Sequence, residues 1–170
     1  MRSPWDPSVP RATLPRVDEL TAALHADLGP DAALVAADPR RAPPPATPEE
    51  ARDVARAVEK RRREYAWGRS VAREALARLG GPRVPLPRRP DRRPIWPEGY
   101  TGSISHCVDV CAALAARTRS WAAVGLDVET SEPLELDLVH LVMTARERRR
   151  LGEDGVQAKR IFVAKEAYYK

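Results

Sequence analysis

A chain of 170 residues is one ordinary domain or two small ones, which excludes a large multidomain enzyme. Its 29 Lys+Arg against 24 Asp+Glu give a net charge of +5, and a composition 43% hydrophobic and 31% charged with 17 prolines suits a folded protein with an anionic partner. No apolar run reaches the about 18 residues that a bilayer span needs, and residues 1–10 lack the apolar core of a secretory leader, so the chain is expected in the cytoplasm, away from membranes.

Residues 1–16 carry four prolines and no periodicity and are expected as an irregular arm. A short helix is expected over 17–28 and a buried strand over 32–37, Ala-Ala-Leu-Val-Ala-Ala. Thr47-Pro48-Glu49-Glu50 has the spacing of a capping box with proline at the first helical position, and Gly80-Gly81-Pro82 is a stop signal. One helix over 48–79 follows, roughly 48 Å long at 1.5 Å per residue, with a kink or break expected at Gly68. Its apolar stripe reads Val58, Arg62, Tyr65, Arg69, Ala72, Leu76, Leu79. The two arginines in it either lie at the edge of the stripe with buried stems or wait for an anion such as phosphate. The other basic residues of 60–63 read as a solvated face.

The Pro- and Arg-rich stretch 81–99 reads as a linker between a first half, 17–98, and a second, 99–170. In the second half the pattern predicts strands over 100–106, 108–115 and 121–129, with a turn at 117–120. Helices follow over 134–142, from a second capping box at Thr144-Ala145-Arg146-Glu147 to about 151, and over 156–170. Cys107 and Cys111, with no His or Cys cluster beside them, read as buried thiols in a reducing compartment.

Three places carry possible chemistry. Along Val124-Gly125-Leu126-Asp127-Val128-Glu129, alternation puts Asp127 and Glu129 on one strand face about 6.6 Å apart, either as a solvated face or converging on a divalent cation such as Mg²⁺. Gly102-Ser103-Ile104-Ser105-His106 offers backbone N–H groups, hydroxyls and an imidazole, suited either to phosphate oxygens or to a capped turn. Ser105 and His106 are no catalytic dyad, because neighbours on a strand point apart. On the last helix Glu166 stands four residues before Lys170, either as an i,i+4 ion pair or as a carboxylate for a metal or a proton.

These pieces in this order, Arg62-Arg63-Glu64-Tyr65 with Gly68-Arg69, then Trp96-Pro97, Gly102-Ser103-Ile104-Ser105-His106-Cys107, Gly125-Leu126-Asp127-Val128-Glu129 and Lys165-Glu166-Ala167 with Lys170, resemble the 4′-phosphopantetheinyl transferase superfamily. Within the surfactin-type class the likeness is to the enterobactin synthetase component D branch. The resemblance implies an α+β fold of two similar halves about a pseudo-two-fold axis, each a long helix on a small antiparallel sheet. It implies a monomeric transferase of secondary metabolism, siderophore synthesis included, that moves the phosphopantetheine arm of coenzyme A to a serine of an acyl, peptidyl or aryl carrier protein and releases 3′,5′-ADP.

By position, the resemblance assigns Asp127, Glu129 and Glu166 to Mg²⁺, with Asp127, Lys165 and Glu166 catalytic and Glu166 activating the carrier serine. It assigns Ser105 and His106 to coenzyme A phosphates, Lys165 and Lys170 to the diphosphate, and Arg69 and Arg63 to the 3′-phosphate. Relatives continue beyond Lys-Glu-Ala-x-x-Lys with a strand-rich segment, so the second sheet is expected to be incomplete and the isolated chain marginally stable and nearly inactive. One alternative is a relative that binds coenzyme A or carrier without turnover. Another is a basic nucleic-acid-binding protein, which the lack of any helix-turn-helix, zinc-finger or RNA-recognition pattern disfavours.

Overall fold

A computed structural model describes residues 28–170. The expected arm and all but Leu28 of the expected helix 17–28 lie outside the described residues. The strand run of alanine and leucine forms β1, Ala32–Ala37, and two later strands, β2 at Tyr100–His106 and β3 at Cys111–Arg117, join it in a sheet of order β1-β3-β2. Both pairings are antiparallel, with Ala32 opposite Ala116 and Tyr100 opposite Arg117. β3 sits in the middle because Cys-Ala-Ala-Leu-Ala-Ala presents small or apolar groups on both sides, so both faces can be covered.

On one face Ala33, Val35, Cys111, Ala113 and Ala115 pack against Val71, Ala72, Ala75, Leu76 and Leu79. On the other, Ala32, Leu34, Leu114 and Ala116 meet Leu28, Val124 and Leu126. Cys111 is buried and Cys107 only partly so, and burial pushes the Cys111 thiol up to about 12.

The capping box at Thr47 forms as its spacing predicts: Thr47 Oγ1 accepts from Glu50 N, and Glu50 accepts in return from Thr47 N. The helix it opens is not the single rod expected over 48–79. It breaks into α1, Pro48–Asp53, and α2, Glu59–Arg78. An unbroken helix would set Glu50 and Arg73 about 35 Å apart at 1.5 Å per residue. The break folds α1 back so that Arg73 Nη1 donates to both Glu50 oxygens at 2.5 Å, while Leu86 N donates to Glu50 at 3.0 Å. Asp53 likewise accepts from the Tyr65 hydroxyl at 2.6 Å and from Arg88 N at 2.9 Å.

Glu50 is fully buried, and burial alone would raise its pKa. The hydrogen bonds from Arg73, Thr47 and Leu86 outweigh that and hold the carboxyl below its ordinary value. The expected stripe is real from Tyr65 onward, but Val58 and Arg62 are exposed, since the sheet does not reach the first turns of α2. α2 runs through Gly68 without a break. The role of this glycine is close approach, because a Cβ there would stand 3.1 Å from Ile104 Cγ2.

The stretch 81–99 is more than a spacer. It sends Leu86 fully into the core, and Ile95 N donates to Pro87 O. Because β3 pairs with β1 and carries β2 on its other edge, the sheet runs across the boundary expected at 98/99, where complementary strand edges outweigh sequence distance. Residues 121–129, expected as a strand, are irregular chain. The remainder is helical: α3 at Leu136–Val142, α4 at Ala145–Leu151 behind its Thr144 capping box, and α5 at Gly155–Tyr169. Val139, Met143 and Ala158 form their small core. The architecture is α+β as expected, with one three-stranded sheet among the described residues rather than one per half. No helix among them is long and apolar enough to cross a membrane.

The buried pair makes a direct prediction. Glu50→Ala strands Arg73 and two backbone donors and is expected to cost about 3–5 kcal/mol in urea unfolding, whereas Glu49→Ala, on the exposed side of the same turn, is expected to change it by less than about 1 kcal/mol.

Candidate active site

Side chains alternate along β2, so Ser103 and Ser105 face residues 124–128 while Ile104 and His106 face α2. On the first side the Ser105 hydroxyl donates to Asp127 Oδ1 at 2.8 Å and accepts from Val128 N at 3.3 Å and Lys170 Nζ at 2.9 Å. Lys170 Nζ also donates to Asp127 Oδ1 at 2.5 Å, and Ser103 Oγ donates to Leu126 O at 3.4 Å. Hydroxyls thus hold the irregular segment to the strand where a ladder would otherwise be needed. The end of α5 reaches this point because its backbone lies directly on Gly125: a Cβ there would come within 1.7 Å of Ala167 O.

The Asp127 side chain is 5% exposed, which corrects the expectation that it shares an open strand face with Glu129. With Val124 and Leu126 turned into the sheet's second core, the irregular chain swings the carboxylate onto Ser105. Its Oδ2 is buried and has no hydrogen-bond partner. Glu129 instead lies near Lys159, Oε2 to Nζ 3.9 Å. Glu166 is half-buried on α5, and Lys170, its expected i,i+4 partner, turns to Asp127. Among the described residues no three His, Cys, Asp or Glu side chains stand close enough together to hold a metal, so Asp127, Glu129 and Glu166 are not gathered.

Lys165 points away from this cluster. Its Nζ donates to Val142 O and Glu147 Oε2, both at 2.8 Å, tying α5 to the α3–α4 corner. That ammonium and the Thr144 cap bring the Glu147 carboxyl down to about 2.

On the other side of β2, His106 Nε2 lies 3.4 Å from Arg61 Nη1 and 3.8 Å from Glu64 Oε2. Burial pushes the imidazole below its ordinary range, Arg61, Lys170 and Lys60 push it further down, and Glu64 opposes them. A cavity of about 250 Å³ opens beside it, lined by Pro39, Lys60, Arg63 and Glu64. Its wall is braced by Arg63 and Trp67, which donate to Arg41 O at 3.0 and 3.2 Å. Arg69 does not reach the cavity. It is 5% exposed and stacked 4.2 Å above the Tyr65 ring, with its Nε unpartnered. Lys60 and Glu64 are the site residues that the sequence reading missed. Their spacing with Arg63, three and four residues on, puts them on one helix face, and that was the available signal.

The model of the 4′-phosphopantetheinyl transferase N-terminal domain matches residues 49–116, and that of the 4′-phosphopantetheinyl transferase superfamily matches 123–170. The chain belongs to the 4′-phosphopantetheinyl transferase superfamily. The chain is 42% identical over 133 residues to 4′-phosphopantetheinyl transferase Svp of Streptomyces mobaraensis, covering 72% of this chain and 52% of that protein. With 4′-phosphopantetheinyl transferase Npt of Nocardia iowensis the identity is 38% over 128 residues, 74% of this chain and 58% of the relative. With enterobactin synthase component D of Salmonella typhi it is 34% over 117 residues, 65% and 48%. The chain thus spans about half the length of the relatives it matches. The two superfamily matches meet at the turn after β3, so the Ser105–His106 strand falls in one and Asp127 and Lys170 in the other.

Two outcomes follow. Gly125→Ala must push α5 off residues 124–128 and is expected to cost about 1–3 kcal/mol, with faster amide exchange at 125–128 and the last turn of α5 but not in β1. For Glu147 the folded pKa lies below the ordinary 4.5, so its stabilisation is complete above that value and is lost as the pH falls toward about 2. Acid titration of Lys165→Met is expected to show a smaller loss across that window than the parent.

Proposed function

We propose that this chain moves the 4′-phosphopantetheine arm of coenzyme A to a serine hydroxyl of an acyl, peptidyl or aryl carrier protein, releasing 3′,5′-ADP. One observation carries the reading: adjacent residues of a single strand face two clusters that each hold cations, Ser105 with Lys170 and Asp127 on one side and His106 with Arg61, Lys60, Arg63 and Glu64 on the other. A ligand with phosphates at two separated places suits that layout, and coenzyme A carries a diphosphate and a 3′-phosphate.

In this reading the cavity takes the 3′-phosphate end, with Lys60 and Arg63 as its cations. Arg69 acts from behind, holding Tyr65 and through it Asp53 and α1. Lys170 and Ser105, which donate to Asp127 in this structure, turn to the diphosphate, where an ammonium and a hydroxyl meet developing charge on the oxygens. His106 donates from the strand end. Asp127 fits a hard cation, since its buried Oδ2 lacks a partner and its Oδ1 already attracts an ammonium. Mg²⁺ would be held by Asp127, and Glu129 and Glu166, which are not gathered with it in this structure, would have to move to it as the further carboxylates; when bound it supplies neutralisation of phosphate charge. In this reading Glu166 takes the proton of the carrier serine.

The test is incubation of an apo carrier protein with this chain, coenzyme A and Mg²⁺, followed by intact-mass spectrometry. The expected result, at the low rate expected of the isolated chain, is a mass gain of one phosphopantetheine arm, absent with chelator and reduced at least about 100-fold for Asp127→Ala. Binding of coenzyme A with no mass gain would support a binding-only role, to which the diversion of Lys165 to Glu147 already points.

A further inference from the structure

Glu64 is the one carboxylate lining a cavity otherwise marked by cations. Its side chain is 17% exposed, and its oxygens lie 3.4 Å from Arg61 Nη1, 3.8 Å from His106 Nε2 and 3.9 Å from Lys60 Nζ. Lys60, Arg61 and Glu64 come from one face of α2, whereas His106 comes from the end of β2, so a single carboxylate joins two elements around the opening. For anion binding alone this is a poor arrangement, because a negative charge in the wall repels the ligand that the cations attract. Its place among those cations is that of an anion itself.

We infer that Glu64 is a specificity-determining residue, an internal anion that occupies the basic cluster so that a lone phosphate is not retained there. An incoming phosphate must loosen the contacts of Glu64 with Arg61, Lys60 and His106, and it then sits beside the displaced carboxylate. A single phosphate has nothing further to gain. A ligand with a second phosphate group reaches Ser105 and Lys170 on the opposite side of the same strand and offsets the loss. The inference rests on the coenzyme A reading above, and it extends that reading to discrimination against inorganic phosphate and singly phosphorylated metabolites, which share the charge and lack the second anchor.

The test titrates inorganic phosphate, and separately coenzyme A, into the full chain and into Glu64→Gln, following the His106 imidazole resonances, which are assigned by loss in His106→Gln. Glu64→Gln is expected to bind phosphate about tenfold tighter and to prefer coenzyme A over phosphate by a correspondingly smaller ratio. Glu64→Asp keeps the charge but draws it back by one methylene, and is expected to fall between the two. It serves as the test if Glu64→Gln does not fold. Phosphate affinity unchanged or weakened in whichever variant keeps a parental melt overturns the inference. Failure of the coenzyme A reading looks different: the parent would bind phosphate at His106 and show no response to coenzyme A.

Discussion

A carboxylate almost removed from water, Asp127, is the constraint on which the candidate site depends. A buried charge of this kind is tolerated only with compensating charge and hydrogen bonds. Here both come from elsewhere in the chain: the hydroxyl of Ser105 from β2 and the ammonium of Lys170 from the end of α5. The three groups join segments that share no backbone ladder, and Gly125 allows the contact by leaving room for the backbone at Ala167. In the proposed reading the hydroxyl and the ammonium serve the diphosphate and the carboxylate serves its cation, so the interaction that secures α5 also assembles the chemistry.

The sheet beneath explains how one strand serves two clusters. Alanine and leucine at its centre let α2 approach one face and residues 124–126 the other, so β2 is covered on both sides and its consecutive side chains enter different surroundings. Ser105 therefore joins a buried, hydrogen-bonded group, while His106 joins an open one beside the cavity. The distance between the two is set by strand geometry rather than by loops. On the far side of α2, the pair of Glu50 with Arg73 fixes α1 and the segment around Leu86.

Much of this was legible in the sequence where the signal is local. Both capping boxes, the turn after β3, the strands at 32–37 and 100–106 and the last helix stand where Thr47, Thr144, Ser105 and their neighbours place them. The divergence of Ser105 and His106 follows from strand alternation alone. What escaped is long-range. The break between α1 and α2 is set by Arg73 and Tyr65, far along the chain, reaching Glu50 and Asp53. Residues 121–129 have the alternation of a strand, but their partners are the hydroxyls of Ser103 and Ser105 rather than a neighbouring strand, so Asp127 is buried and Glu129 is not. Lys165 has no local reason to prefer Glu147 over the site next to it. Lys60 and Glu64 were hidden in a run of charge whose cavity exists only because Pro39 and the chain at Arg41 close over it.

The central claim is that one ligand engages both sides of β2 at once. The most direct measurement is a titration of the full chain with coenzyme A, followed by backbone amide shifts in a heteronuclear correlation spectrum. The account predicts that shifts at Ser105 and Val128 and shifts at His106, Lys60 and Glu64 rise together with a single dissociation constant. Shifts confined to one side of the strand, or two sets that saturate at different concentrations, would contradict it.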